Sequence, residues 1–157
     1  MKLKFLLIPA LALAACNQPV KQQPLVKEVP IEAVITGTWK LVSAIKVIKA
    51  DTTSTYPVKG QEEEMIKVVN ASHFAFFKHD LKKPGSKPVY DSGAGTYTLN
   101  GDTYTENLNY CNYREWEGHS FNFKVSFKGD TLVQKGIEKI EKLNIDQEIV
   151  ETYVRVK

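Results

Sequence analysis

Residues 121–127 read Phe-Asn-Phe-Lys-Val-Ser-Phe. Phe121, Phe123, Val125 and Phe127 alternate with Asn122, Lys124 and Ser126, so every second side chain is apolar. Successive side chains of a strand point to opposite faces, which turns this period of two into one buried and one wetted face. Lys128-Gly129-Asp130 then separates the stretch from Thr131 to Lys135, and the pair reads as a hairpin.

Other segments carry the same signal. Thr96 to Leu99 and Thr103 to Leu108 flank Asn100-Gly101, the pair best suited to the positive φ angles of a two-residue turn. In TWKLVSAIKV, Trp39, Leu41, Ser43, Ile45 and Val47 share one face, while Lys40, Val42, Ala44 and Lys46 share the other. Glu64 to Asn70 and His73 to His79 read as two strands joined through Asn70-Ala71-Ser72. Of the second, Phe74 and Phe76 hold one face and His73, Ala75, Phe77 and His79 the other, and periodicity leaves open which faces inward. Glu148 to Val156 makes a last strand. Ala50 to Gly60 reads as a polar loop or lid, and Asp80 to Gly95, with Pro84, Gly85, Pro88, Gly93 and Gly95, as a second loop. Ile137 to Leu143, apolar every third residue, fits a helical turn or a short strand and turn equally. About eight strands with short links predict an all-β fold. The succession of hairpins favours an antiparallel up-and-down barrel over a sandwich, because closure leaves no unpaired edge.

The N-terminus differs in kind. Lys2 and Lys4, the apolar stretch Phe5 to Leu13 and small Ala14 and Ala15 precede Cys16, the architecture of a secretory leader too short to span a bilayer. Leu13-Ala14-Ala15-Cys16 resembles the bacterial lipobox. That resemblance implies cleavage before Cys16, diacylglycerol on its thiol and an acyl chain such as palmitate on its new amine; two or three chains hold a protein on a membrane where one is marginal. Residues 17–34, with Pro19, Pro24 and Pro30, read as an extended tether. The expected division is a signal helix at 1–15, a lipidated cysteine and flexible tether at 16–34, and one domain at 35–157. Cys111 is then the only other cysteine, so no intramolecular disulfide is available.

Charge narrows the function. Without Lys2 and Lys4 the chain holds 19 basic against 18 acidic residues and no basic block, which argues against nucleic acid as a partner. His73, His79 and His119 are scattered, and the first two stand roughly 20 Å apart along a strand, so neither a metal nor another cofactor is expected. Glu62-Glu63-Glu64 reads as the solvated start of a strand, and no nucleophile and base fall at a recognisable spacing, so no enzyme is expected. Arg114 to His119 reads as a loop at a barrel mouth, where Tyr113 and Trp116 could form a lip.

Gly37-Thr38-Trp39 at the head of the first strand resembles the Gly-x-Trp signature of the lipocalins and of intracellular fatty-acid-binding proteins. Tyr153-Val154-Arg155 adds to it, because in such calycin barrels a terminal-strand basic residue lies across the first-strand Trp. The resemblance implies Trp39 and Arg155 as a pair closing the barrel base. Gly95 to Glu106, with His73-Phe74-Ala75, is similar to lipocalin-like domains common in lipoproteins of Bacteroidota. It implies a membrane-anchored monomer that holds a small hydrophobic ligand, with Phe76, Tyr97, Tyr104, Phe121, Phe123, Phe127 and Tyr153 as candidate pocket walls. The other reading is a barrel filled by those same side chains, acting in the cell envelope through a protein partner. The chain is shorter than secreted lipocalins and lacks their cysteine pair. By the lipoprotein sorting rule that the lipobox resemblance implies, Asn17 rather than Asp after the cysteine, with no acidic cluster behind it, sends the protein to the outer membrane on its periplasmic side.

Overall fold

A computed structural model describes residues 34–82 and 88–157. The leader, Cys16 and the tether up to residue 33 lie outside the described residues, as do Pro84 and Gly85.

Nine strands follow one another: β1 (Gly37–Ile48), β2 (Asp51–Tyr56), β3 (Glu63–Val69), β4 (His73–Asp80), β5 (Tyr90–Asn100), β6 (Thr103–Cys111), β7 (Ser120–Lys128), β8 (Thr131–Ile140) and β9 (Ile145–Arg155). From β3 to β9 each strand pairs antiparallel with the next, and β1 pairs with both β3 and β9. Eight strands therefore close into an antiparallel barrel, and β2 is an extra strand beside the far end of β1. Asn100-Gly101 and the Lys128–Thr131 turn join their hairpins as the sequence predicts.

Three details depart from the sequence pattern, each for a physical reason. β2 occupies the expected loop at 50–60: the first five of its residues are exposed, so no buried face imposed a period. Lys49 and Ala50, both at positive φ, make the turn into it. β5 starts at Tyr90, inside the other expected loop. Its glycines serve close packing rather than a turn: a Cβ on Gly95 would overlap the Asn107 carbonyl, and one on Gly93 would overlap the Phe76 ring. In β1 the register shifts between Leu41 and Ser43, so Ala44 rather than Ser43 is buried; an extra residue in one strand moves every later side chain to the other face. Two open alternatives close as well. At 137–143 the strand runs to Ile140 and a single 3-10 turn, Glu141–Leu143, follows, which is the strand-and-turn reading. In β4, Phe74 and Phe76 face inward, opposite exposed His73, Phe77 and His79.

One end of the barrel is solid. Trp39 is wholly buried, and its indole Nε1 donates to the Ile35 carbonyl at 2.7 Å. The Arg155 guanidinium lies 4.1 Å from the Trp39 ring centroid and donates to the carbonyls of Thr36 and Val34. Gly37, at φ +143°, leaves the space that the guanidinium takes. Phe127 packs against Trp39 at 6.0 Å, and Leu41, Leu132 and Tyr153 complete a dry core. A half-buried cation on an indole adds about 1 kcal/mol to that burial.

Candidate functional site

Towards the other end the inward positions change character. β3 reads Met65-Ile66-Lys67-Val68-Val69, and alternation sends Lys67 inward between Met65 and Val69. Lys67 is 2 % exposed. Its ammonium donates to Glu106 at 2.7 Å and to Gln134 at 2.9 Å, and stands over the rings of Tyr153, Phe74 and Tyr104 at 5.3, 5.8 and 5.9 Å. Glu106 faces inward from β6 between Tyr104 and Leu108, and Gln134 from β8 opposite Glu151 of β9. A buried charge costs several kcal/mol unless it is paired and hydrogen-bonded, and here both conditions are met.

Two further carboxylates share this interior. Burial pushes the Glu138 carboxyl up to about 7, with the Glu151 and Glu106 charges adding to it against the hydrogen bond from Gln147, 2.8 Å long. Burial likewise raises Glu151, although Lys67 and the Tyr153 hydroxyl, donating at 2.6 Å, pull the other way. The Tyr104 hydroxyl is buried with no hydrogen-bond partner among the described residues. Burial first, and then the charge of Glu106, pushes its phenol well above the ordinary tyrosine range.

Above this polar layer lies a cavity of about 260 Å³. Its apolar wall comes from Met65, Phe76, Leu108, Trp116, Phe121 and Phe123; its polar wall includes Lys67, Glu106, Gln134, Glu138 and Glu151. The Arg114–Trp116 turn between β6 and β7 sets Trp116 at its edge, 5.8 Å from Phe121. There Lys78 bridges Asp91 at 3.0 Å and Glu63 at 3.6 Å, and the Tyr113 hydroxyl donates to Asp91 at 2.6 Å. Burial would raise Asp91, but the hydrogen bonds from Tyr113 and Lys78 outweigh it and hold its carboxyl below the ordinary range. The half-buried Cys111 also lines the cavity, and its sulfur accepts the Tyr113 backbone N–H at 3.4 Å.

Of the aromatic side chains expected as walls, Phe76, Phe121 and Phe123 line this cavity. Tyr97, Tyr104, Phe127 and Tyr153 lie outside its lining. Phe127 belongs to the Trp39 core, Tyr153 is wholly buried beside Glu151, and Tyr104 packs on Tyr97 at 5.1 Å. The Tyr97 hydroxyl donates to the Asn70 carbonyl at 2.7 Å. His73 and His79 are exposed on β4, and His119 packs near Phe121 at 6.3 Å. The carboxylates Glu62, Glu63 and Glu64 each meet a lysine: Lys82, Lys78 and Lys40.

Lys67, Glu106, Gln134, Glu138 and Glu151 were not singled out by the sequence. Their signal is a polar residue in phase with apolar ones, as in Tyr104-x-Glu106-x-Leu108 or Ile149-x-Glu151-x-Tyr153. Finding it depends on knowing the inward face of several strands at once.

Residues 35–134 match the family described as the lipocalin-like domain. No curated protein matches the chain.

Proposed function

We infer the role of this chain from its family: it belongs to the lipocalin-like domains, whose barrels typically bind or carry small hydrophobic molecules. The barrel binds such a molecule in the cavity beside Phe76, Trp116, Phe121 and Phe123. The cavity itself carries this reading. An eight-stranded barrel is just wide enough to be filled by its own side chains or to hold one small ligand, and about 260 Å³ is left unfilled at one end. That volume is below the roughly 300–1,000 Å³ of ordinary drug-sized sites, so the ligand is compact, of the size of one or two rings. The chemistry is reversible binding, with Trp116 and Tyr113 as the lip.

The leader and lipobox of the sequence support a working protein in a bacterial cell envelope. Cys16 carries the lipid, the tether spaces the barrel from the bilayer, and the barrel faces the periplasm from the outer membrane as a monomer. Labelled palmitate is expected to enter the wild-type protein and not a Cys16→Ser variant; equal incorporation in both would remove the anchor.

Native mass spectrometry of the gently purified full chain tests the ligand reading. A stoichiometric small lipophile is the expected result. An empty protein from which no hydrophobic dye can be displaced would overturn it, leaving a barrel that acts through a protein partner.

A further inference from the structure

Carboxylates outnumber ammonium groups on the cavity wall. Glu106, Glu138, Glu151 and Asp91 stand against Lys67 and Lys78, and both lysines are already engaged: Lys67 with Glu106 and Gln134, Lys78 with Asp91 and Glu63. Glu138 and Glu151, on neighbouring strands of the same wall, are left with a neutral donor each, the Gln147 amide and the Tyr153 hydroxyl. The wall thus offers acceptors in excess of donors, opposite an aromatic face.

We propose that the ligand is a small aromatic or aliphatic amine, its protonated nitrogen seated against Glu138 and Glu151 and its apolar body against Phe76, Phe121 and Trp116. The proposal rests on the cavity being a binding site. A carboxylate ligand is the wrong match above about pH 7, where Glu138 ionises and the wall carries an excess of negative charge. An ammonium supplies three donors, and charge-assisted hydrogen bonds are about twice as strong as neutral ones.

The wall also sets the pH dependence. Glu138 is faced by Gln147 and Glu151 of β9, Glu106 of β6 and Lys67 of β3. With its carboxyl pushed up to about 7, it is largely protonated in mildly acidic solution and binds a cation poorly there. An arriving ammonium favours the ionised form, so binding releases a proton near neutrality, and amine affinity rises with pH through about 7.

Calorimetric titration of the full chain with 2-phenylethylamine, propylbenzene and 3-phenylpropionate separates the possibilities, because the three share a body and differ in charge. The amine is expected to bind at least about tenfold tighter than propylbenzene at about pH 8, an advantage that shrinks severalfold at about pH 5.5. Propylbenzene or 3-phenylpropionate binding as tightly as the amine would overturn the amine assignment and keep the binding site. No binding of any of the three, with no dye displaced, would overturn the site and this proposal together. Glu138→Gln is expected to remove most of the amine's advantage over propylbenzene. An unchanged advantage would overturn the placement, and should that variant not fold, Glu151→Gln and the wild-type pH profile give the same reading.

Discussion

The two ends of the barrel interior use the same strands for opposite purposes. At the closed end, Trp39, Leu41, Phe127, Leu132 and Tyr153 pack into a dry core capped by Arg155, whose guanidinium lies on an indole and donates to backbone carbonyls. The change of character takes place within a single strand. On β9, Tyr153 is wholly buried in the core while Glu151, one inward position earlier, borders the cavity. Apolar burial stabilises by about 25 cal/mol per Å², whereas each buried ion costs several kcal/mol before its partners offset it. The closed end therefore supplies stability, and the polar layer gives up some of it to keep a shaped, charged wall beside open space.

That contrast can be broken at four places, in falling order of effect. Trp39→Ala removes the largest side chain of the closed end and is expected to destabilise by about 4 kcal/mol; a urea midpoint close to wild type would show that the base plug does not hold the barrel. Lys67→Met leaves Glu106 buried without its cation, at an expected cost of about 3 kcal/mol. Adding Glu106→Leu should restore most of that loss, and a double variant no more stable than the single one would contradict the pairing of Lys67 with Glu106.

Glu138 gives the third test. Burial pushes its carboxyl up to about 7 from an ordinary 4.5, so between those values the folded state holds a proton that the unfolded state has lost. Stability contributed by this group is present below about pH 4.5 and is lost as pH rises through about 7. Asp91 and Glu117, whose carboxyls are held low, act in the opposite direction, so the comparison is with Glu138→Gln. Denaturation in urea at a series of pH values should show wild type losing about 3 kcal/mol or less relative to that variant from acid to neutral solution. Parallel curves would mean that the cavity wall does not perturb Glu138. The smallest effect is expected outside the barrel: Lys40, paired with Glu64 on the surface, should be replaceable by Ala with no measurable shift in midpoint, since exposed pairs contribute little.

Legibility followed the same division. The alternation in Phe121–Phe127, the Asn100-Gly101 turn and the Gly37-Thr38-Trp39 start were readable because each is a local pattern with a local cause. Strand β2 was not, having almost no buried face, and the start of β5 was hidden by glycines that resemble turn residues but make room for Phe76 and Asn107. Three of the expected wall aromatics do line the cavity, while of the four others Tyr104 and Tyr153 belong to the core and Tyr97 and Phe127 pack against it. On β7 the position along the strand separates them, Phe121 and Phe123 at the cavity and Phe127 on Trp39, and where the cavity begins depends on the stagger between strands rather than on that strand's own pattern.

By itself the sequence determined most of the strands, the tight turns that join their hairpins, and an all-β fold for which a barrel is the favoured closure, since side-chain periodicity and turn chemistry act over a few residues. Only the tertiary structure decided that Phe74 and Phe76 point inward, that a bulge buries Ala44, and that Lys67 meets Glu106 and Gln134 across 39 and 67 residues of chain. Alternation defines two faces without saying which is inside, and it carries no information on which distant strands become neighbours. Barrel closure supplies both, and with them the charged wall on which the proposed ligand rests.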